Sequence, residues 1–447
     1  MAERRAGPTT PVRPAFDVTD DRLARAAWSR LAEPGDEVAV ALVEQLGAPA
    51  ALAWLVEAVN DPARARRSLV GLAEDFGDER EGLDGLLGVT GIGAAVPTDD
   101  RRAPVRDPRS GPVARLLRAV ARWAPRLDGL DPRRELHVLH RLDGSLVVPG
   151  DPGWPTALDD LGAVRPLALW VRGSDRLAEL AARSVAVVGA RACTDYGRHV
   201  TGEIASGLAA RGFTVVSGGA YGIDAAAHRA ALVSSAPTVA FLAGGVDRLY
   251  PVGNTELLRA VVGTGGGAVV SEVPPGSVPS RVRFLLRNRL IAAFAGATVV
   301  VEAAWRSGSL STAVRAAELS RPVGAVPGPV TSMASTGCHR LLRDGAAVCV
   351  TDADEVAELA GALARDAAPA APAAGTRKAP RDAAYDGLDA VETRTWDALP
   401  LRAGAPTDAV ARSAGLAVSE AVGALGRLEI RGLAERTTGG WRRVRAG

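Results

Sequence analysis

From about Leu146 to Val350, short runs of β-branched residues alternate with Ala- and Leu-rich stretches, and few folds accommodate that rhythm. The runs predict strands at residues 185–188, 214–216, 238–242, 268–270, 298–301, 323–326 and 346–350. Between the first two, Val200, Ile204 and Leu208 recur at i, i+4 and i+8, one face of a helix. Strand–helix–strand repetition with strands apolar on both faces predicts an α/β fold. It is a Rossmann-like, doubly wound, mostly parallel sheet with helices on both sides.

At 447 residues the chain exceeds one ordinary core, and its flanks read differently. Residues 1–19 carry charge and proline with little apolar content and read as a disordered tail. Residues 20–130 read as a small helical domain with a variable insertion. Leu23, Ala27 and Leu31, then Val38, Leu42, Val43 and Leu46, follow a helical period broken by Pro34-Gly35. Within the insertion, Gly88–Gly93 resembles a helix-hairpin-helix turn that could hold a phosphate, and is read as a plain turn. Residues 131–361 carry the sheet. Residues 362–386, rich in Ala and Pro, read as a flexible linker. In 387–447, Thr407 is expected to cap a helix ending at Ala414, with a turn at Gly415 and a second helix from Ser419 to Ile430. A hairpin at Thr438-Gly439-Gly440 completes a winged helix.

No stretch approaches the roughly 20 apolar residues of a membrane span, and the first residues lack a signal-peptide apolar segment. Three cysteines, Cys193, Cys338 and Cys349, have neither metal spacing nor an even count. A cytoplasmic protein with no membrane partner, no metal and no cofactor is expected. Net charge is only +2, so any nucleic-acid surface must be a local cluster. Arginine supplies that charge, Lys378 being the only lysine.

In such a sheet, ligands sit beyond the carboxyl ends of the strands. The first of those ends runs Val188-Gly189-Ala190-Arg191, then Thr194-Asp195-Tyr196-Gly197 opening a helix. The G-x-G-x-x-G fingerprint and the acidic residue that would hold a ribose are both missing. Ser217, Gly218, Gly219 and Gly222, in a turn running into a helix, offer backbone N–H groups suited to phosphate. Ser307, Gly308 and Ser309 open another helix after the fifth of these strands, either capping it or holding a second phosphate. Between Glu272 and Glu302 no acidic residue occurs. That window holds Arg281, Arg283, Arg287 and Arg289, interleaved with Phe284 and Asn288. Arginine pairs with phosphate and an aromatic ring stacks on a base. A loop built for a phosphate but not for a ribose diol fits a nucleic-acid backbone better than NAD.

The same segments closely resemble the DNA-processing protein A (DprA/Smf) family: VAVVGAR (185–191), VVSGGAYGIDAAAHRAAL (215–232), GVDRLYP (245–251), FLLRNRLIA (284–292), VVVEAAWRSGSLSTA (299–313) and AVPGPVTSMASTGCHRLLRDGA (325–346). That resemblance covers about Leu146 to Ala360. It implies a non-enzymatic homodimer that binds single-stranded DNA and loads the RecA recombinase in natural transformation or repair. It also implies a basic pocket using Arg191, Ser217, Gly218, Gly219 and the Arg287-Asn288-Arg289 motif, with Arg281 three residues before Phe284. Leu285 and Leu286 stand where many relatives have Pro or Arg, which lowers local positive charge. The stretch around Glu33–Leu55 is similar to a sterile-alpha-motif-like domain, and the tail resembles the winged helix of other members.

No complete catalytic constellation emerges. Cys193 near a helix start reads as a packed thiol. Asp224 and His228, at i and i+4, read as a hydrogen-bonded structural pair, and Glu302 as a carboxylate orienting a loop. The main alternative is a nucleotide-processing enzyme, a nucleoside-monophosphate glycosidase on a related fold. Here the glycine loop lies after a different strand and lacks the glutamate such enzymes carry. A ligand-sensing transcription factor rests on the winged helix alone, whose reading segment, residues 417–421, is small and acidic. Arg442, Arg443 and Arg445 put positive charge on the hairpin instead, suiting phosphate contact or protein binding.

Overall fold

The structure, a computed structural model, describes residues 11–65, 112–263, 266–364, 388–400 and 404–444. It contains two compact units, Met1–Ala368 and Pro369–Gly447.

The first unit opens with three helices, α1 (Asp21–Leu31), α2 (Glu37–Leu46) and α3 (Ala48–Asn60). Asp20 caps α1 by accepting from the Leu23 amide, and Asp36 caps α2 by accepting from those of Val38 and Ala39. With α4 (Pro112–Trp123) and α5 (Pro132–His140) they close over Trp28, which meets Trp123 edge-on at 5.1 Å. Residues 11–19 are not the loose tail expected. Phe16 is buried in this cluster, and the Asn60 amide both accepts from and donates to the Val12 backbone, at 2.8 and 2.9 Å. A polar segment is ordered here by a distant partner, which local composition cannot register. The Gly88–Gly93 turn lies outside the described residues.

Next come β1 (Gly144–Val147), β2 (Leu169–Gly173) and α6 (Leu177–Ala182). The alternating region follows: β3 (Ser184–Val188), α7 (Asp195–Ala210), β4 (Thr214–Ser217), α8 (Ile223–Val233), β5 (Thr238–Phe241), α9 (Thr255–Gly263) and β6 (Ala268–Ser271). It continues with α10 (Arg281–Phe294), β7 (Ala297–Val300), α11 (Ser309–Glu318), β8 (Val323–Ala325), α12 (Thr336–Arg343), β9 (Val348–Cys349) and α13 (Ala353–Ala364). The nine-stranded sheet runs β1-β2-β6-β5-β4-β3-β7-β8-β9. Its pairings from β6 to β9 are parallel; β2 is antiparallel to β6, and β1 to β2.

All seven expected strands are present, the last trimmed to Val348–Cys349. The two antiparallel strands were not foreseen, because no crossover helix joins them in the alternating rhythm. Burial follows the pleat: Val185 and Val187 pack with Ile204, Leu208 and Ile223 on one face, and Ala186 and Val188 with Ile291 and Phe294 on the other. From β3 the chain winds outward through β4, β5 and β6, then returns to add β7, β8 and β9 on the opposite side. The topological switch point therefore lies between β3 and β7.

Helices and sheet share packing. Leu167, just before β2, is buried among the N-terminal helices, and the Trp170 indole donates to Ser29 Oγ at 3.1 Å. The domain boundary expected near residue 130 runs through this unit. Helix α13 continues to Ala364, past the expected linker start at 362, and 365–387 lie outside the described residues.

The second unit contains α14 (Ala390–Asp397), α15 (Thr407–Ala414), α16 (Val418–Ile430) and the hairpin β10 (Ala434–Thr437) and β11 (Gly440–Arg443). Gly415 ends α15 at φ +64°, a left-handed position suited to glycine. Thr407 is not the cap expected. Pro406 holds that place, and the Thr407 hydroxyl accepts from the Trp441 indole at 3.1 Å. Unforeseen α14 begins with an Asp389–Glu392 capping box. Arg445 lies outside the described residues.

Candidate nucleic-acid interface

At the switch point, the loop after β3 is held by Glu302 at the end of β7. Glu302 is 1% exposed and accepts from the Thr194 amide at 2.9 Å and the Thr194 hydroxyl at 2.6 Å. Thr194 in turn caps α7 by accepting from the Gly197 amide. Gly197 leaves room for this carboxylate, since a Cβ there would lie 2.3 Å from Glu302 Oε2. Glu302 is thus the loop-orienting group expected. Cys193 packs half-buried against the face of the sheet that carries α7 and α8.

The loop after β4 is built for close approach. Gly222, at φ +80°, lies so near the β3 loop that a Cβ would meet the Ala190 and Arg191 carbonyl oxygens at 2.2 and 2.4 Å. Asn254 is buried and donates to the Gly219 and Ala220 carbonyls, both at 3.0 Å. Ser217 is fully buried and its hydroxyl donates to the Val187 carbonyl at 2.7 Å, so it braces neighbouring strands. Asp224 and His228 do not pair. Asp224 accepts from the Ala220 amide, while His228 Nδ1 meets Thr238 Oγ1 at 2.8 Å. Thr238 already donates to the Val215 carbonyl, so His228 Nδ1 carries the proton. Burial, with Arg287 nearby, pushes the His228 pKa down to about 3. Burial raises that of Asp224 against the pull of Arg287.

Helix α10 divides its arginines by depth. Arg281, in the first turn, is exposed. Arg283 donates to Glu33 at 2.9 and 3.1 Å, tying α10 to the α1–α2 turn. Arg287 is 6% exposed; it donates to the Gly218 carbonyl at 2.7 Å and to that of Phe241. Burial lowers its pKa to about 10, so it stays charged. Asn288 donates to Ser311 Oγ at 2.8 Å and supports the turn into α11. Arg289, 4% exposed, grips Glu272 at 2.7 and 2.8 Å. The Arg287-Asn288-Arg289 motif, expected to face nucleic acid, instead holds the β4 loop, the β7 loop and the β6 end in place. The reason is depth along the helix: α10 is buried all round from Arg287 to Phe294, whereas Arg281 and Phe284 belong to its first turn, which is exposed or half-buried.

On the open rim, Arg191 is exposed and its guanidinium lies 4.8 Å from the Phe284 ring centre. Tyr250 packs against Phe284 in a tilted arrangement, at 6.0 Å between centroids. The exposed aromatic residues among those described are Tyr196, Tyr221, Tyr250 and Trp305; the last three lie on loops after parallel strands, and Tyr196 is in the first turn of α7 after β3. Tyr196 donates to the Pro327 carbonyl, and the Tyr221 hydroxyl accepts from the Gly253 amide at 3.2 Å. Ser307 and Ser309 share a hydroxyl contact of 2.8 Å beside exposed Gly308, and no side chain caps α11. Reading the sequence singled out Arg191, Phe284 and Arg281 but missed the tyrosines and Trp305. An aromatic within about ten residues after a predicted parallel strand, on the ligand-facing rim, would have been the signal.

Residues 145–361 match the family described as DNA recombination-mediator protein A. A DNA processing protein DprA of Mycobacterium tuberculosis is 48% identical over 323 residues, covering 70% of this chain and 80% of that one. Protein Smf of Escherichia coli is 41% identical over 193 residues, or 43% and 50% of the two chains. Among solved structures, DNA processing protein A of Streptococcus pneumoniae gives a TM-score of 0.48 at 34% identity, over 54% of this chain and 81% of that one. The Helicobacter pylori protein, solved in a study of its single-stranded DNA binding mode, gives 0.44 at 28%, over 50% and 96%.

Proposed function

We propose that this chain, which belongs to the DNA recombination-mediator protein A family, binds single-stranded DNA along the rim at the β3–β7 switch point. The observation that carries this is Arg191: exposed, stacked on Phe284, without a carboxylate partner among the described residues, beside a row of exposed aromatic rings. An arginine on an aromatic face offers one group to a phosphate and leaves ring surface for a base. Arg281 and the backbone amides of Tyr221 and Gly222 extend the track, the Ala220 amide being taken by Asp224. Buried Arg287 adds positive potential from beneath, while Ser217, Gly218, Asn288 and Arg289 hold the loops.

The full reading is a homodimeric recombination mediator in the cytoplasm that protects single strands and delivers them to RecA, in transformation or repair. The N-terminal helices act as a sterile-alpha-motif-like domain and the C-terminal unit as a winged helix. The nucleotide-hydrolysis reading gains no support from the rim carboxylates, since Glu302 and Asp224 both serve loop amides.

The test is binding to a fluorescent oligo-dT strand and to duplex of equal length, across a salt series. Wild type prefers the single strand, and Arg191→Ala/Phe284→Ala loses most of that binding. A wild type that ignores single strands would overturn the proposal.

A further inference from the structure

On the far side of the switch point from Phe284, the rim carries a second arginine–aromatic pair that the function above does not use. Trp305 follows β7 and is 51% exposed, an unusual position for the largest side chain. Arg340, on α12 beyond β8, lies over its ring at 4.8 Å. One ring face is therefore covered by a guanidinium. Arg306 beside it is exposed, and neither Arg306 nor Arg340 makes an ion pair among the described residues. Most surface arginines of this unit do, including Arg176, Arg198 and Arg259. Two uncompensated cations thus flank one exposed indole, the composition that single-strand grooves use for phosphate and base.

Position supports the same reading. Strands β3, β7 and β8 are consecutive in the sheet, and neighbouring strands lie about 4.8 Å apart. Trp305 follows the first neighbour of β3 and Arg340 the second, and the Gly337 amide donates to the Ala303 carbonyl at 2.7 Å, which ties the β7 loop to the start of α12. Tyr196, 39% exposed at the start of α7, donates to the Pro327 carbonyl after β8 and so links the β3 and β8 ends of the rim.

We propose that Trp305 and Arg340 form a second subsite of the single-stranded DNA track. The open face of Trp305 stacks on a base a short way along the strand from the one at Phe284, and Arg340 takes its phosphate. This rests on the single-strand reading above and extends the footprint across the switch point.

The test is a length series of oligo-dT strands with wild type, Trp305→Ala, Trp305→Phe and Arg340→Gln. Melting curves check the fold, which an exposed side chain leaves unchanged. Trp305→Ala weakens binding about 5- to 160-fold on long strands, the range of one lost stacked base. It also reaches its affinity plateau at a shorter strand than wild type, because a shorter track is left to fill. Trp305→Phe keeps a ring and retains part of the affinity, but abolishes the indole fluorescence quenching that accompanies wild-type binding. Arg340→Gln lowers the salt slope by about 0.7, one phosphate contact. If wild type binds strands while Trp305→Ala and Arg340→Gln keep its affinity and length profile at every length, this subsite does not exist and the Arg191 pocket stands alone. That outcome would leave Trp305 and Arg340 as a protein contact, a common use of these residue types. If wild type binds no strand of any length, the single-strand reading falls and this proposal with it.

Discussion

The arginine least suited to touch DNA is Arg289, and its pairing with Glu272 makes that testable. The two side chains are 4% and 12% exposed, and a single Arg289 nitrogen reaches both carboxylate oxygens at 2.7 and 2.8 Å. Next to the pair lies Gly35 of the α1–α2 turn, where a Cβ would fall 3.5 Å from Arg289 Nε. The pair thus sits where the N-terminal helices meet the sheet. Removing one partner from a buried pair strands the other charge and costs about 3 to 5 kcal/mol; replacing both with apolar residues of similar volume is close to neutral. Arg289→Met and Glu272→Leu alone should each lower the urea midpoint of the first unit by about 1 to 2 M, and the double variant should restore most of it. Oligo-dT binding by the double variant is expected to stay within about threefold of wild type, a difference of well under 1 kcal/mol. Circular dichroism follows the unfolding and fluorescence anisotropy the binding. A double variant that melts like wild type yet loses strand binding as fully as Arg191→Ala would show that Arg289 contacts DNA, and the depth argument for α10 would be wrong.

Gly222→Ala forces a side chain onto a φ of +80° and against two carbonyl oxygens, so a loss of at least about 2 kcal/mol in stability and a displaced Arg191 loop are expected; thermal melting and oligo-dT affinity read both. Glu302→Gln has one acceptor oxygen where Thr194 donates twice, and it should cost about 1 to 3 kcal/mol and loosen the turn into α7, seen as faster amide exchange at residues 192–197. His228 is held neutral, with a folded pKa of about 3 against an ordinary 6.5. Its unfolded form takes up a proton first as pH falls, so stability drops from about pH 6.5 toward 3, by at most about 1.4 kcal/mol per unit. His228→Asn should show a shallower decline over that window; an unchanged slope would mean that other groups govern it.

The alternation of β-branched runs and helical stretches was enough to determine the doubly wound sheet, because each parallel strand is buried on both faces and must be apolar whichever way its residues point. Loop glycines were legible for a similar local reason: only glycine permits the φ of Gly222 and the approach of its loop to Ala190. The antiparallel strands β1 and β2 were not legible, since their place is set by pairing with β6, far along the chain. Nor was the fate of the arginines. Arg281, Arg283, Arg287 and Arg289 look alike in a window without acidic residues, yet one is exposed and the others meet Glu33, the Gly218 carbonyl and Glu272. Charge in sequence counts only neighbours along the chain. Whether a guanidinium is free to meet a phosphate depends on which carboxylates and carbonyls the fold brings to it, and on how deep in the helix its turn lies.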